Sequence, residues 1–118
     1  RAWHGYGIRI LSDEFGGLPR AKFIAALQAE GVPASPCYLW PVYKNRGFLE
    51  LKRSGTPGQW PFCDVEIDYG KVFCPNAERL CADEAVVLSQ QLLLGDRADM
   101  DDVVAAVTKI HEQQHSLA

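Results

Sequence analysis

An α+β fold is what this sequence predicts: a small antiparallel or mixed sheet with helices packed on one face. Three observations carry that expectation. Phe23, Ile24 and Leu27, and later Val103, Val104, Val107 and Ile110, form apolar stripes at helical spacing. Ile8 and Ile10 fall on one face of an extended segment, and Arg9 and Leu11 on the other. Between these stretches the order reads strand, helix, strand, long excursion, helix, strand, helix. With 118 residues, the chain is expected to form one domain at most, with a single core.

The first strand is predicted over Trp3 to Leu11, which mixes Trp, Tyr, Ile, Arg and Leu with two glycines. Ser12 to Leu18 contains Gly16-Gly17 and reads as a turn. Pro19 suits a first helical position. The helix it opens is expected to end at Glu30, because Gly31 can close a helix and Pro33 cannot continue one. A short second strand is expected around Ala34 to Tyr38.

Residues 31–48 are the stretch around which the rest is organised. Tyr38, Trp40 and Tyr43 lie close together, interleaved with Pro36 and Pro41. Prolines fix φ and remove backbone donors, so this is a stiff, irregular ribbon. Such loops can carry recognition chemistry through phenol hydroxyls, an indole N–H and the neighbouring Lys44. The plainer alternative is a connector whose rings fill the core.

Glu50 to Gly70 is expected to be a long excursion with at most one weak strand. Pro75 starts a helix running to about Glu84. Ala85 to Leu94 reads as a buried strand or a helix continuation, with strand preferred from its length and from β-branched Val86 and Val87, and Gly95 is a turn. Asp99 is expected to cap the last helix, with Asp101 and Asp102 in its first turn, where the dipole favours anions.

Composition excludes several classes of function. The chain is 47% hydrophobic and 23% charged, as ordinary globular proteins are. A net charge of −3 argues against a nucleic-acid surface. No apolar run approaches the roughly 20 residues of a membrane-spanning helix, no signal peptide is expected, and a cytoplasmic location follows. Cys37, Cys63, Cys74 and Cys81 could form two disulfides, but they show no zinc-module spacing and are expected to be reduced thiols. The opening Arg1-Ala-Trp-His reads as a piece of something longer.

His111-Glu112-Gln113-Gln114-His115 matches H-E-x-x-H literally. A zinc peptidase needs a third protein ligand, usually later in the chain, and only Ser116, Leu117 and Ala118 follow. Imidazoles near a helix end complement its dipole, which is the expected role here. The run from Asp96 to Asp102 lacks the glycine and distal glutamate of a calcium loop and reads as a helix start. Glu78 and Arg79 in the second helix could mark a site, and the default reading is a solvated helix face.

Several phrases occur in an order that resembles one family. These are Phe15-Gly-Gly-Leu-Pro-Arg-Ala-Lys-Phe23, Ala26-Leu-Gln-Ala-Glu-Gly-Val-Pro33, Tyr38-Leu-Trp-Pro-Val-Tyr43 and Cys74-Pro-Asn-Ala-Glu-Arg79. Leu92-Leu-Leu-Gly95 and Asp99-Met-Asp-Asp-Val103 continue the series. Together they resemble the carboxy-terminal part of the DegT/DnrJ/StrS aminotransferases, nearest to the inosose (cyclitol) branch, over nearly the whole chain. Val42-Tyr43 stands where the sugar branch carries a histidine after the proline.

The resemblance implies that residues 1–118 are the small carboxy-terminal domain of a pyridoxal-phosphate enzyme of fold type I. Such enzymes move an amino group from glutamate or glutamine to a keto-sugar or keto-cyclitol, and the full-length enzyme is expected to be a homodimer. Its large domain would supply the Schiff-base lysine and the cofactor site. Lys22, Lys44, Lys52, Lys71 and Lys109 match no such motif, so this chain alone is expected to bind no cofactor and to be inactive. In the whole enzyme Tyr38 and Tyr43 would offer hydroxyls to a polyol, and Trp40 an apolar wall or an indole donor. Lys44 would offer a charge to the donor carboxylate, with Arg9 as a further candidate. For each of these the alternative is core packing or solvation. The rival from another class is a stand-alone binding or regulatory module with the same fold. A parent reading frame extending about 250 residues upstream would exclude that rival.

Overall fold

The computed structural model describes residues 4–49 and 68–117. The strands are β1 (Gly5–Arg9), β2 (Ala34–Pro36) and β3 (Ala85–Ser89), and the helices are α1 (Arg20–Ala29), α2 (Pro75–Arg79), α3 (Arg97–Glu112) and α4 (Gln114–Leu117). The three strands form one antiparallel sheet in the order β1-β3-β2, so the strand latest in sequence lies in the middle. Trp3, Cys63, Lys52 and most of the expected excursion lie outside the described residues. The excursion's end, Tyr69–Lys71, is a 3-10 turn.

Register sorts the side chains by face. Ile8 stands opposite Val86, and both Tyr6 and Ala34 stand opposite Leu88. Val86 and Leu88 are buried, whereas Ala85, Val87 and Ser89 on the other face are half-buried. Alternation along β3 therefore directs one face into the core. Phe23, Ile24 and Leu27 of α1, with Ala106 and Ile110 of α3, join Val86 and Leu88 in a single buried cluster. This is a small α+β domain.

The helix boundaries follow local chemistry, with some departures from expectation. Pro19 is the N-cap of α1 rather than its first helical residue. Its extended backbone leads into the turn, while its carbonyl accepts from the Phe23 N–H at 3.0 Å. Glu30 is the C-cap, and Gly31 takes φ 85°, a left-handed value that glycine tolerates without a Cβ clash. The second strand stops at Pro36, short of Tyr38.

The last helix is capped by Asp96, not Asp99. The Asp96 carboxylate accepts from the N–H groups of Ala98 (2.8 Å) and Asp99 (3.2 Å), and the Asp99 side chain reaches back to the Asp96 N–H at 2.9 Å. This reciprocal box places Asp99 at the third helical position and moves Asp101 and Asp102 beyond the first turn. Asp96→Ala should cost about 0.5–2 kcal/mol, read as a lower urea midpoint with unchanged slope. The apolar stripe is also corrected: Val104 is exposed, and Ala106 takes the buried place beside Ile110.

H-E-x-x-H does not lie on one helix. The C-cap of α3 is Gln113, which separates His111 from His115 on α4. The His111 ring packs edge-on against Phe15, with centroids 5.1 Å apart.

Candidate functional site

The aromatic ribbon leaves the sheet at Pro36 and runs over the outside of the domain. Tyr38 is 76% exposed and Trp40 60%. Neither fills the core, so the packing alternative fails for both rings. After buried Pro41 the chain makes a 3-10 turn over Val42–Lys44. That turn aims Tyr43 and Lys44 at α2, whose first residue Pro75 is well suited to a helix start.

There both side chains meet Glu78. The Tyr43 hydroxyl donates to Oε1 at 2.5 Å, and the Lys44 ammonium donates to Oε2 at 2.5 Å. The phenol oxygen also accepts from the Cys74 N–H at 3.1 Å. The hydroxyl that was expected to face a polyol is thus engaged within the chain on both its donor and acceptor sides. Lys44, expected to offer its charge to a donor carboxylate, already has that charge matched. Charge-assisted bonds of this kind are among the stronger ones.

The electrostatics follow from these contacts. Hydrogen bonds from Lys44 and then Tyr43 hold the Glu78 carboxyl below its usual range. The bond to Glu78 pushes the Lys44 ammonium up. Partial burial, followed by the bond to Glu78, pushes the Tyr43 phenol up. A depressed carboxyl stabilises the fold above its unfolded pKa and loses that contribution as pH falls through the folded value. Raised Lys44 and Tyr43 contribute below their unfolded values and lose the effect as pH rises through the folded ones. The protection factor of the Cys74 amide should therefore be level across neutral pH and decline at both extremes. Amide exchange measured by NMR checks this, and an acid decline that persists in Glu78→Gln would refute the assignment.

Two open grooves flank the loop. One, of about 580 Å³, is lined by Trp40, Tyr43, Lys44, Arg46, Leu49, Tyr69, Gly70 and Val72. The other, of about 470 Å³, includes Leu39, Trp40, Lys44, Glu78, Arg79 and Asp83. Trp40 and Lys44 line both and form the ridge between them. Tyr69, which lines the first groove, meets the Phe48 ring edge-on at 5.2 Å. Tyr38 lines neither groove. Arg9 does not join them either; its Nε lies 3.1 Å from Glu84, which also pairs with Arg79 at 2.9 Å.

Sequence comparison identifies what this arrangement belongs to. No protein-family model matches the chain. The chain is 34% identical over 112 residues to an L-glutamine:2-deoxy-scyllo-inosose aminotransferase of Streptoalloteichus tenebrarius, covering 93% of this chain and 26% of the relative. It is 32% identical over 120 residues to a protein of the same name from Streptomyces fradiae, covering 100% of this chain and 27% of that one. Across nearly its whole length the chain is similar to glutamine:inosose aminotransferases. A putative L-glutamine:3-amino-2,3-dideoxy-scyllo-inosose aminotransferase of Streptomyces kanamyceticus, 31% identical over 108 residues, matches 86% of this chain and 24% of its own length. The chain spans about a quarter of the length of the curated relatives it matches.

The described residues of this chain do not fit the pyridoxal phosphate that its aminotransferase relatives imply. A lysine that forms an imine must be available as the neutral amine, which burial or a neighbouring cation favours. Here Lys109 is held by Glu30 at 2.7 Å, Lys44 by Glu78 at 2.5 Å, and Lys71 lies 3.6 Å from Asp68. Lys22 is exposed. At Lys44 the bond to Glu78 pushes the ammonium up, away from the neutral amine.

Glu78 is the residue that sequence reasoning weighed as a site and read by default as solvated. Its partners lie more than thirty positions upstream, and a glutamate in a short helix reads as solvated. A signal was present in the pairing of two adjacent polar side chains, Tyr43-Lys44, with a later helix bearing an unmatched acid.

Proposed function

We propose that this chain is the small, carboxy-terminal domain of a fold type I aminotransferase that transfers an amino group from glutamine to a keto-cyclitol. The observation that carries the reading is identity above 30% to two glutamine:2-deoxy-scyllo-inosose aminotransferases across nearly the whole chain. The complete enzyme takes pyridoxal phosphate as its cofactor, held by groups outside this chain.

What these residues contribute is a wall. Trp40 gives an apolar face against which a cyclitol ring can lie, as sugar rings lie on aromatic surfaces. Tyr43, fixed by Glu78 and Cys74, retains the second lone pair of its phenol oxygen as an acceptor for a polyol hydroxyl. Tyr38, exposed at the start of the loop, is a second hydroxyl that can swing to the ligand. Lys44 keeps Glu78 ionised and in place. Arg9, bound to Glu84 away from both grooves, serves the fold.

The test uses the complete protein, with glutamine and 2-deoxy-scyllo-inosose, measuring the two half-reactions separately. Amination of the ketone is the expected result, and its absence overturns the reading. Tyr43→Phe should lower kcat/KM for the keto acceptor several-fold to about tenfold, the size of one lost hydrogen bond. The glutamine half-reaction should change much less, because it involves no polyol contact. An equal loss in both halves would remove Tyr43 from the acceptor wall.

A further inference from the structure

Where the loop reaches α2, each oxygen of the Glu78 carboxylate takes a different partner: Oε1 the Tyr43 phenol and Oε2 the Lys44 ammonium. One side chain therefore fixes two consecutive loop residues against the helix. It also cancels a cation on the ridge that both grooves share. The other cations nearby have contacts of their own: Arg79 pairs with Glu84 at 2.9 Å, and Arg46 is also engaged. The second groove carries a further acid, Asp83.

We propose that Glu78 is the positioning and specificity-determining residue of this loop. By holding Tyr43 and Lys44 together and cancelling the lysine charge, it sets the ridge for an uncharged polyol and against an anion. The inference rests on the loop being the acceptor wall. A carboxamide in place of the carboxylate keeps the shape of the side chain but leaves Lys44 uncompensated. An unmatched cation beside a partly dehydrated groove attracts anions and changes which ligands are selected more than how tightly all are held.

Equilibrium titration of the complete protein with myo-inositol and with an inositol monophosphate reads this directly. Glu78→Gln should raise affinity for the monophosphate relative to myo-inositol by about tenfold. Adding Lys44→Met should abolish that gain, and Glu78→Asp, which keeps the charge, should retain the wild-type ratio. A ratio unchanged in Glu78→Gln overturns the proposal, as does a gain that survives Lys44→Met or a failure of all forms to bind either probe. A purely structural role would lower the melting temperature without moving the ratio. Failure of the aminotransferase reading is distinguishable, since it appears as no turnover of glutamine with 2-deoxy-scyllo-inosose in the wild type, while the titration ratio still decides the role of Glu78.

Discussion

Phe23→Ala should remove about 3–5 kcal/mol of stability, the range for truncating a buried aromatic ring. Phe23 is 2% exposed in the centre of the cluster between α1, α3 and the sheet. Its ring meets Phe15 edge-on at 5.2 Å, and Phe15 in turn meets His111 of α3 at 5.1 Å. Removing Phe23 therefore leaves a cavity and also unseats the ring that links the first turn to the last long helix. Domains of this size are stable by about 5–15 kcal/mol, so a large share of the total is at stake. Thermal melting should move down by about 10–25 °C. Phe23→Leu, which keeps most of the apolar volume, should recover much of the loss. A loss below about 1 kcal/mol for the alanine variant would place the ring outside the core.

The second large effect is expected at Arg20, the first residue of α1. Its guanidinium Nη1 donates to the Cys81 carbonyl at 2.8 Å and approaches those of Ala85 (3.3 Å) and Leu80 (3.4 Å). These carbonyls belong to the wide π turn over Leu80–Glu84 and to the start of β3. The end of a helical segment leaves its carbonyls without intrahelical donors, and a cation placed there satisfies them. Arg20→Met keeps the stem and removes the donors, and should cost about 1.5–3 kcal/mol. The urea midpoint checks it. Arg20→Lys should recover only part, because all three contacts come from Nη1 and the lysine ammonium sits one bond short of that position. Full recovery by lysine would reduce the role of Arg20 to charge alone.

Much of the fold was legible where one rule acts locally. The α1 stripe of Phe23, Ile24 and Leu27 is buried as its spacing implies, and Gly31 closes the helix with the backbone angle that only glycine adopts without strain. Asp99 is the expected cap, and only the direction of the hydrogen bonds shows that Asp96, three residues earlier, is the cap and Asp99 its partner. Val104 misleads because a valine next to Val103 lies about 100° around the helix from it, on the solvent side. The candidate site was half legible. Its aromatic and lysine side chains stand out by composition, whereas Glu78 depends on a tertiary contact that no local pattern encodes. The spacing of His111 and His115 implied one helical face, and the break at Gln113 removes it.

The order β1-β3-β2 has a consequence for how the chain comes together in time. Among the described residues the two outer strands do not bond to each other, and every ladder bond of the sheet involves β3. During synthesis, residues 5–9 and 34–36 leave the ribosome before residues 85–89, the strand with which both pair. Pairings between segments so distant in sequence close slowly, because the intervening chain must be ordered before they give any return. Until then both outer strands present unpaired N–H and C=O groups, which are templates for association with other chains. Helix α1, whose hydrogen bonds are all local, can form early and shield Ile24 and Leu27 only in part. Arrival of Ala85–Ser89 is thus the step that joins β1 to β2, and any shortened form that stops before Ala85 lacks the strand with which both pair.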